Sequence, residues 1–170
     1  NLPETEHEIN TKLTALIAED NEGTSQLIAR TLRREGFESL RVSSGAEVLD
    51  QVALDGNLLL LLDYNLSDMT GREVIEKLAN NHKLVPFVMM TGQGDERIAV
   101  EMMKLGARDY LVKDANFFTL LPQVVQRVSE QLTIETRLEQ TEATLHEREQ
   151  TLLGLLRNLP GVAFRGLPDE

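Results

Sequence analysis

The chain has 170 residues, enough for one ordinary domain and an appendage but tight for two. Its 28 acidic and 17 basic residues leave a net charge of −11, which disfavours direct binding to nucleic acid or to an anionic membrane surface. Cysteine is absent, so disulfides, thiolate catalysis and cysteine-ligated zinc are excluded, and a reducing cytoplasmic setting is expected.

The apolar runs are too short for a transmembrane span, and nothing reads as a signal peptide. Residues 1–11 are polar and without periodicity, a leader or the tail of a linker. The first residue is Asn1 rather than Met, and the chain stops at Pro168-Asp169-Glu170 after an apolar segment, so a piece of a larger protein is expected.

From Lys12 short apolar runs alternate with amphipathic ones. LTALIA (13–18) precedes SQLIARTLRREG (25–36), and SLRV (39–42) precedes AEVLDQVAL (46–54). LLLLLD (58–63) precedes REVIEKLANN (72–81), PFVMM (86–90) precedes ERIAVEMMKLG (96–106), and DYLV (109–112) precedes a long helical pattern from Thr119. Glycines punctuate the joins, and Ser44-x-x-Glu47 and Thr70-x-x-Glu73 read as capping boxes. Strict strand–helix alternation predicts a parallel sheet covered on both faces. A central strand of such a sheet is buried on both sides, which accounts for five unalternated leucines.

Ligands of a doubly wound sheet bind beyond the carboxyl ends of the strands, where the strand order reverses. Strand 1 runs into Glu19-Asp20 and strand 3 ends in Asp63. With strand order 2-1-3-4-5 these carboxylates share one crevice. Their mutual repulsion calls for a divalent cation, and Mg²⁺ suits a site with few protein oxygens and room for a phosphate oxygen. A carboxylate there can attack phosphorus. Strand 4 runs into Thr91-Gly92 and strand 5 into Lys113, a hydroxyl donor and a point charge suited to phosphoryl oxygens.

Over residues 12–131 this set resembles the receiver domain of two-component response regulators, a flavodoxin-like (βα)₅ fold. The resemblance implies that Asp63 accepts a phosphoryl group from a histidine kinase or phosphotransfer protein. It implies that Glu19 and Asp20 are the acidic pair, with Asp20 the more direct metal ligand, and that Asn65 lends its backbone carbonyl to Mg²⁺. Thr91 would be the switch hydroxyl, Lys113 the phosphate-pairing lysine and Tyr110 the rotating aromatic switch. Two positions depart from the family. Ser67 stands where proline is usual, which should loosen the loop after the acceptor. Asp114 stands where proline usually follows the lysine, and a non-proline cis bond there would cost about 2.5–4 kcal/mol.

Other readings fare worse. Asp63-Tyr64-Asn65-Leu66-Ser67 loosely resembles the haloacid-dehalogenase motif, but Asn65 cannot protonate a leaving group. Gly92-Gln93-Gly94-Asp95 lacks the Gly-Lys-Ser/Thr of a P-loop. A pseudo-receiver scaffold should have lost the acceptor or the lysine, and this chain keeps both. His7, His82 and His146 read as surface residues.

Beyond Asn116 the helical pattern outruns one domain layer. Leu138, Leu145, Leu152 and Leu159 recur every seventh position, and Ile134 and Leu155 fit the complementary core position, shared with Thr141 and Arg148. A helix from Thr119 to Asn158 would be roughly 60 Å long and would extend beyond the domain. Residues 132–158 are therefore expected to form a signalling coiled coil and a homodimer. LLGLLRNLPGVAFRG (152–166) resembles the leading helix and first strand of a PAS sensor domain, truncated here at 159–170. No basic helix-turn-helix material is present, so a transcription-factor output is not supported by these residues.

Overall fold

A computed structural model describes residues 13–92 and 96–158. The leader and the PAS-like segment at 159–170 lie outside the described residues, as do His7 and Leu159. The chain divides into two units, Asn1–Ser129 and Glu130–Glu170.

Five strands alternate with helices in the first unit, and the last helix continues into the second. They are β1 (Thr14–Ala18), α1 (Glu22–Arg34), β2 (Ser39–Val42), α2 (Gly45–Leu54) and β3 (Leu58–Asp63), then α3 (Gly71–Asn80), β4 (Phe87–Thr91), α4 (Glu96–Lys104), β5 (Asp109–Val112) and α5 (Phe117–Arg157). Every strand pairing is parallel, and the order is β2-β1-β3-β4-β5. This is the flavodoxin-like doubly wound sheet expected from the alternation, with a long C-terminal helix.

The central strand β3 is buried at all six positions. Leu58, Leu60 and Leu62 join Val48 and Val52 of α2, Val74, Ile75 and Leu78 of α3, and Met102 of α4 in one core cluster. Leu59 and Leu61 point to the opposite face, as strand alternation requires. They are equally buried, as are Ile28 and Leu32 of α1 and Leu121, Val125 and Val128 of α5. Each leucine so buried contributes about 1.5–3 kcal/mol relative to exposure, so β3 is the best-anchored platform in the sheet.

Several boundaries differ from the sequence pattern for local reasons. Helix α1 begins at Glu22 rather than Ser25, because Asn21 acts as N-cap and accepts the Thr24 N–H at 2.9 Å. Thr70 and Glu73 form the full reciprocal capping box. Ser44 forms only half of one: its hydroxyl accepts from Glu47 N–H, while the Glu47 carboxylate reaches back to the N–H and hydroxyl of Ser43 instead. The α2 N–H groups of Gly45 and Ala46 are taken by another carboxylate, Asp68.

Candidate functional site

The site is assembled at the carboxyl edge of the sheet. The register pairs Ala18 with Leu62, so Glu19 and Asp63 leave β1 and β3 at the same level. On the other side of β3, Asp63 pairs with Met90, and Thr91 pairs with Val112 of β5. The Lys113 N–H donates to the Thr91 carbonyl at 2.8 Å, which carries strand pairing one residue further and fixes the root of the lysine.

Glu19 and Asp63 are both buried. The Lys113 ammonium bridges them, donating to Asp63 Oδ2 at 2.6 Å and to Glu19 Oε2. Asp63 Oδ1 also receives the Asn65 N–H at 3.4 Å, and Glu19 Oε1 receives the Asn21 N–H at 3.2 Å. Burial pushes the Glu19 carboxyl above its ordinary range, and the Lys113 ammonium beside it only partly offsets that. Burial works against the Lys113 charge, but hydrogen bonds to Asp63 and Glu19 outweigh it and hold the lysine above its usual range, so it stays protonated.

Asp20 is exposed at the mouth of this cluster. One carboxylate oxygen each from Glu19, Asp20 and Asp63 lie within 4.8 Å of one another. Three carboxylates against one ammonium leave two negative charges in excess. The donors are all hard oxygens, one of them open to water, and this set fits a divalent cation of the Mg²⁺ type that keeps part of its hydration.

The loop after the acceptor, which contains Ser67, is tied down at three points. Asp68 reaches across to α2, where its Oδ1 accepts from Gly45 N–H at 2.8 Å and its Oδ2 from Ala46 N–H at 3.0 Å. These bonds hold its carboxyl below the usual range. Asn65 and Thr70 form an isolated antiparallel bridge, and Gly71 N–H donates to the Tyr64 carbonyl at 2.7 Å. A Cβ on Gly71 would come within 3.1–3.2 Å of the Asp63 carbonyl oxygen and of Tyr64 Cα, so this glycine permits the close return of the loop.

The other predicted residues are placed as follows. Thr91 is buried at the end of β4. Tyr110 lies outside the ion-paired cluster; it is 43% exposed and lines a groove with Ala99, Val100, Met103 and Lys104 of α4. Asp109, beside it, is ion-paired with Arg127 of α5. Among the described residues no peptide bond is cis, so Lys113–Asp114 is trans. Asp114 supplies turn chemistry where proline is usual, its carboxylate accepting the Asn116 N–H at 2.8 Å. His82 and His146 are exposed.

Asp68, Asn21 and Gly71 also shape the site, outside the set that the sequence pattern assigns to it. Asn21 carried a legible signal, an N-cap residue directly after the acidic pair. Asp68 carried none, because its partners stand 22 and 23 residues away in sequence.

A doubly wound parallel sheet with a buried aspartate, an acidic pair and a lysine at one edge is the arrangement of a receiver-type signalling module. The chain belongs to the response regulator receiver domain family, whose model matches residues 15–125. It is 36% identical over 129 residues to "Transcriptional regulatory protein SrrA" of Staphylococcus aureus, covering 75% of this chain and 52% of that protein. The chain thus spans about half the length of the curated relatives it matches. Among solved structures, a putative response regulator from Chloroflexus aurantiacus superposes with a TM-score of 0.60 at 29% identity, covering 69% of this chain and 94% of that one. A response regulator receiver domain from Rhodospirillum rubrum gives 0.59 at 28% identity, covering 68% and 93%. Receiver domains hold Mg²⁺ at such an acidic pocket and are signalling domains that work with histidine kinases or phosphotransfer proteins.

Proposed function

We propose that this chain is the phosphoacceptor module of a two-component phosphorelay and that Asp63 takes a phosphoryl group from a phosphohistidine. The phosphorus–nitrogen bond to the donor imidazole breaks as an Asp63 oxygen bonds to phosphorus, in line, and the imidazole leaves. Lys113, already 2.6 Å from Asp63, stays as counter-ion to the phosphoryl oxygens. Glu19, Asp20, Asp63 and the Asn65 backbone carbonyl would hold Mg²⁺, which when bound supplies the charge neutralisation that three clustered carboxylates and an incoming phosphoryl group require.

After transfer the Thr91 hydroxyl moves to a phosphoryl oxygen and Tyr110 turns inward, shifting a pre-existing equilibrium of the β4–α4–β5 surface. The exposed position of Tyr110 leaves it room for that rotation. The output passes through the C-terminal helix: residues 12–131 act as the receiver, 132–158 as a coiled coil that makes a homodimer, and 159–170 begin a PAS-like domain. The chain acts in the cytoplasm and is no enzyme beyond catalysing its own phosphorylation and dephosphorylation. No helix among the described residues is long and apolar enough to cross a membrane. SrrA is named as a transcriptional regulator. A DNA-directed output elsewhere in the full-length protein is compatible with this reading, whereas the −11 net charge argues against these residues gripping nucleic acid themselves.

The observation that carries the reading is the convergence of Glu19, Asp20, Asp63 and Lys113 on one crevice at the sheet edge. Mass spectrometry after incubation with Mg²⁺ and acetyl phosphate or a phosphorylated kinase tests it. One added phosphoryl group in the parent and none in Asp63→Asn is expected. No modification under any donor would sink the proposal and favour a scaffold that is never phosphorylated.

A further inference from the structure

We propose that the helix beyond Glu130 binds a second copy of this chain in parallel and in register. Leu138, Leu145 and Leu152 would occupy heptad position a, and Ile134, Thr141, Arg148 and Leu155 position d. This rests on the coiled-coil reading above and adds to it the orientation of the two chains and the role of Arg148.

The seam is apolar and bare. Ile134, Leu138, Leu145, Leu152 and Leu155 are between 58% and 68% exposed. A shallow groove of about 320 Å³ opens on the same face, lined by Arg137, Gln140, Thr141, Thr144, Leu145 and Arg148. Thr141 looks unsuited to a core layer, yet its hydroxyl already donates to the Arg137 carbonyl at 2.8 Å. Thr144 and Thr151, at flanking position g, are satisfied in the same way by the carbonyls of Gln140 and Glu147. Burying Thr141 therefore strands no donor and presents its methyl group to the partner. Arg148 is the one expensive layer.

Charge selects the orientation. Position e carries Glu135, Glu142 and Glu149, while position g carries Glu130, Arg137, Thr144 and Thr151. In a parallel pair e faces g of the other chain. Arg137 then meets the partner's Glu142 once on each side, which offsets the repulsion of Glu130 with the partner's Glu135 on each side. A d residue in that arrangement lies beside e of the other chain, so each Arg148 reaches the partner's Glu149 and its charge is offset within the layer. In an antiparallel pair e faces e. Laying Leu138 against the partner's Leu155 would set Glu142 against the partner's Glu149, and sliding by a heptad only exchanges one glutamate pair for another. A polar residue at a single core position fixes register at a cost in stability, so Arg148 keeps the dimer both aligned and weak.

The full 170-residue chain has no cysteine, so single cysteines report cleanly. Light scattering of the parent comes first: a monomer would overturn both the coiled-coil reading and this inference. With a dimer in hand, Leu138→Cys and Leu155→Cys are oxidised separately and as a mixture, with the outward Glu139→Cys as control. A disulfide forms only where Cα atoms approach to about 4.4–6.8 Å. Parallel pairing predicts a cross-linked dimer for each core variant alone, no cross-link joining one core variant to the other in the mixture, and none for the control. Cross-linking only in the mixture, or in neither core variant, would overturn the orientation while leaving the coiled coil standing. Arg148→Leu is expected to tighten the dimer at least about tenfold; an unchanged dissociation constant would overturn the role given to Arg148.

Discussion

The Lys113 ammonium stands 2.6 Å from Asp63 Oδ2 and pairs at the same time with Glu19, so one cation at the end of β5 is shared between carboxylates at the ends of β3 and β1. Removing it leaves two buried acids without their counter-ion. Lys113→Met is expected to lower stability in EDTA by roughly 2–4 kcal/mol, below the range for a fully buried pair because the lysine keeps some contact with water. Added Mg²⁺ should restore part of the loss. Urea denaturation with and without Mg²⁺ measures both effects.

Glu19 supplies a pH dependence. Its folded-state carboxyl sits above its ordinary value because of burial, so the stability it contributes is fully present below the ordinary value of 4.5 and is lost as pH rises through the folded value. Glu19→Gln removes this titration. In EDTA the variant is expected to gain stability relative to the parent as pH rises from 4.5 towards 8, and to bind Mg²⁺ more weakly. A constant difference in denaturation midpoint across that range would refute the assignment.

Asp68 works in the opposite sense. Its carboxyl is held below the usual 3.8 by the N–H groups of Gly45 and Ala46, so its contribution is present above that value and is lost as pH falls through the lower folded value. Asp68→Ala should melt below the parent at neutral pH, and the gap should close in acid. Because the same bonds pin the acceptor loop, amide exchange of residues 64–70 should speed up in the variant. Unaltered exchange would show that the Asn65–Thr70 bridge alone holds the loop.

Gly71 is the tightest point behind the acceptor. Gly71→Ala would press its new methyl against the Asp63 carbonyl oxygen and Tyr64 Cα, backbone atoms that cannot rotate away. The expected cost is about 1–3 kcal/mol, with a slower phosphorylation of Asp63 because the strand end shifts. Gly56→Ala, where an added Cβ meets nothing within 4 Å, is the control for loss of glycine alone.

The strand–helix alternation and the five leucines of β3 were legible because a parallel sheet buried on both faces demands apolar runs of that length, whatever their partners. The likeness of Glu19, Asp20, Asp63 and Lys113 to a known family was legible for a related reason: they stand at the ends of three strands, β1, β3 and β5, and parallel strands end at one edge. The Asp68 bonds that tie the loop beside Ser67 to α2 were not legible, since backbone stiffness is a local property while those bonds are not. The half-formed box at Ser44 has a local origin instead, because the Glu47 carboxylate bonds the N–H and hydroxyl of Ser43 rather than the Ser44 N–H. Sequence by itself determined which groups gather at the sheet edge. Tertiary structure decided how they pair, that Lys113 bridges two acids and Asp20 stays open to water, because burial and distance are set by strands that meet only when the sheet closes.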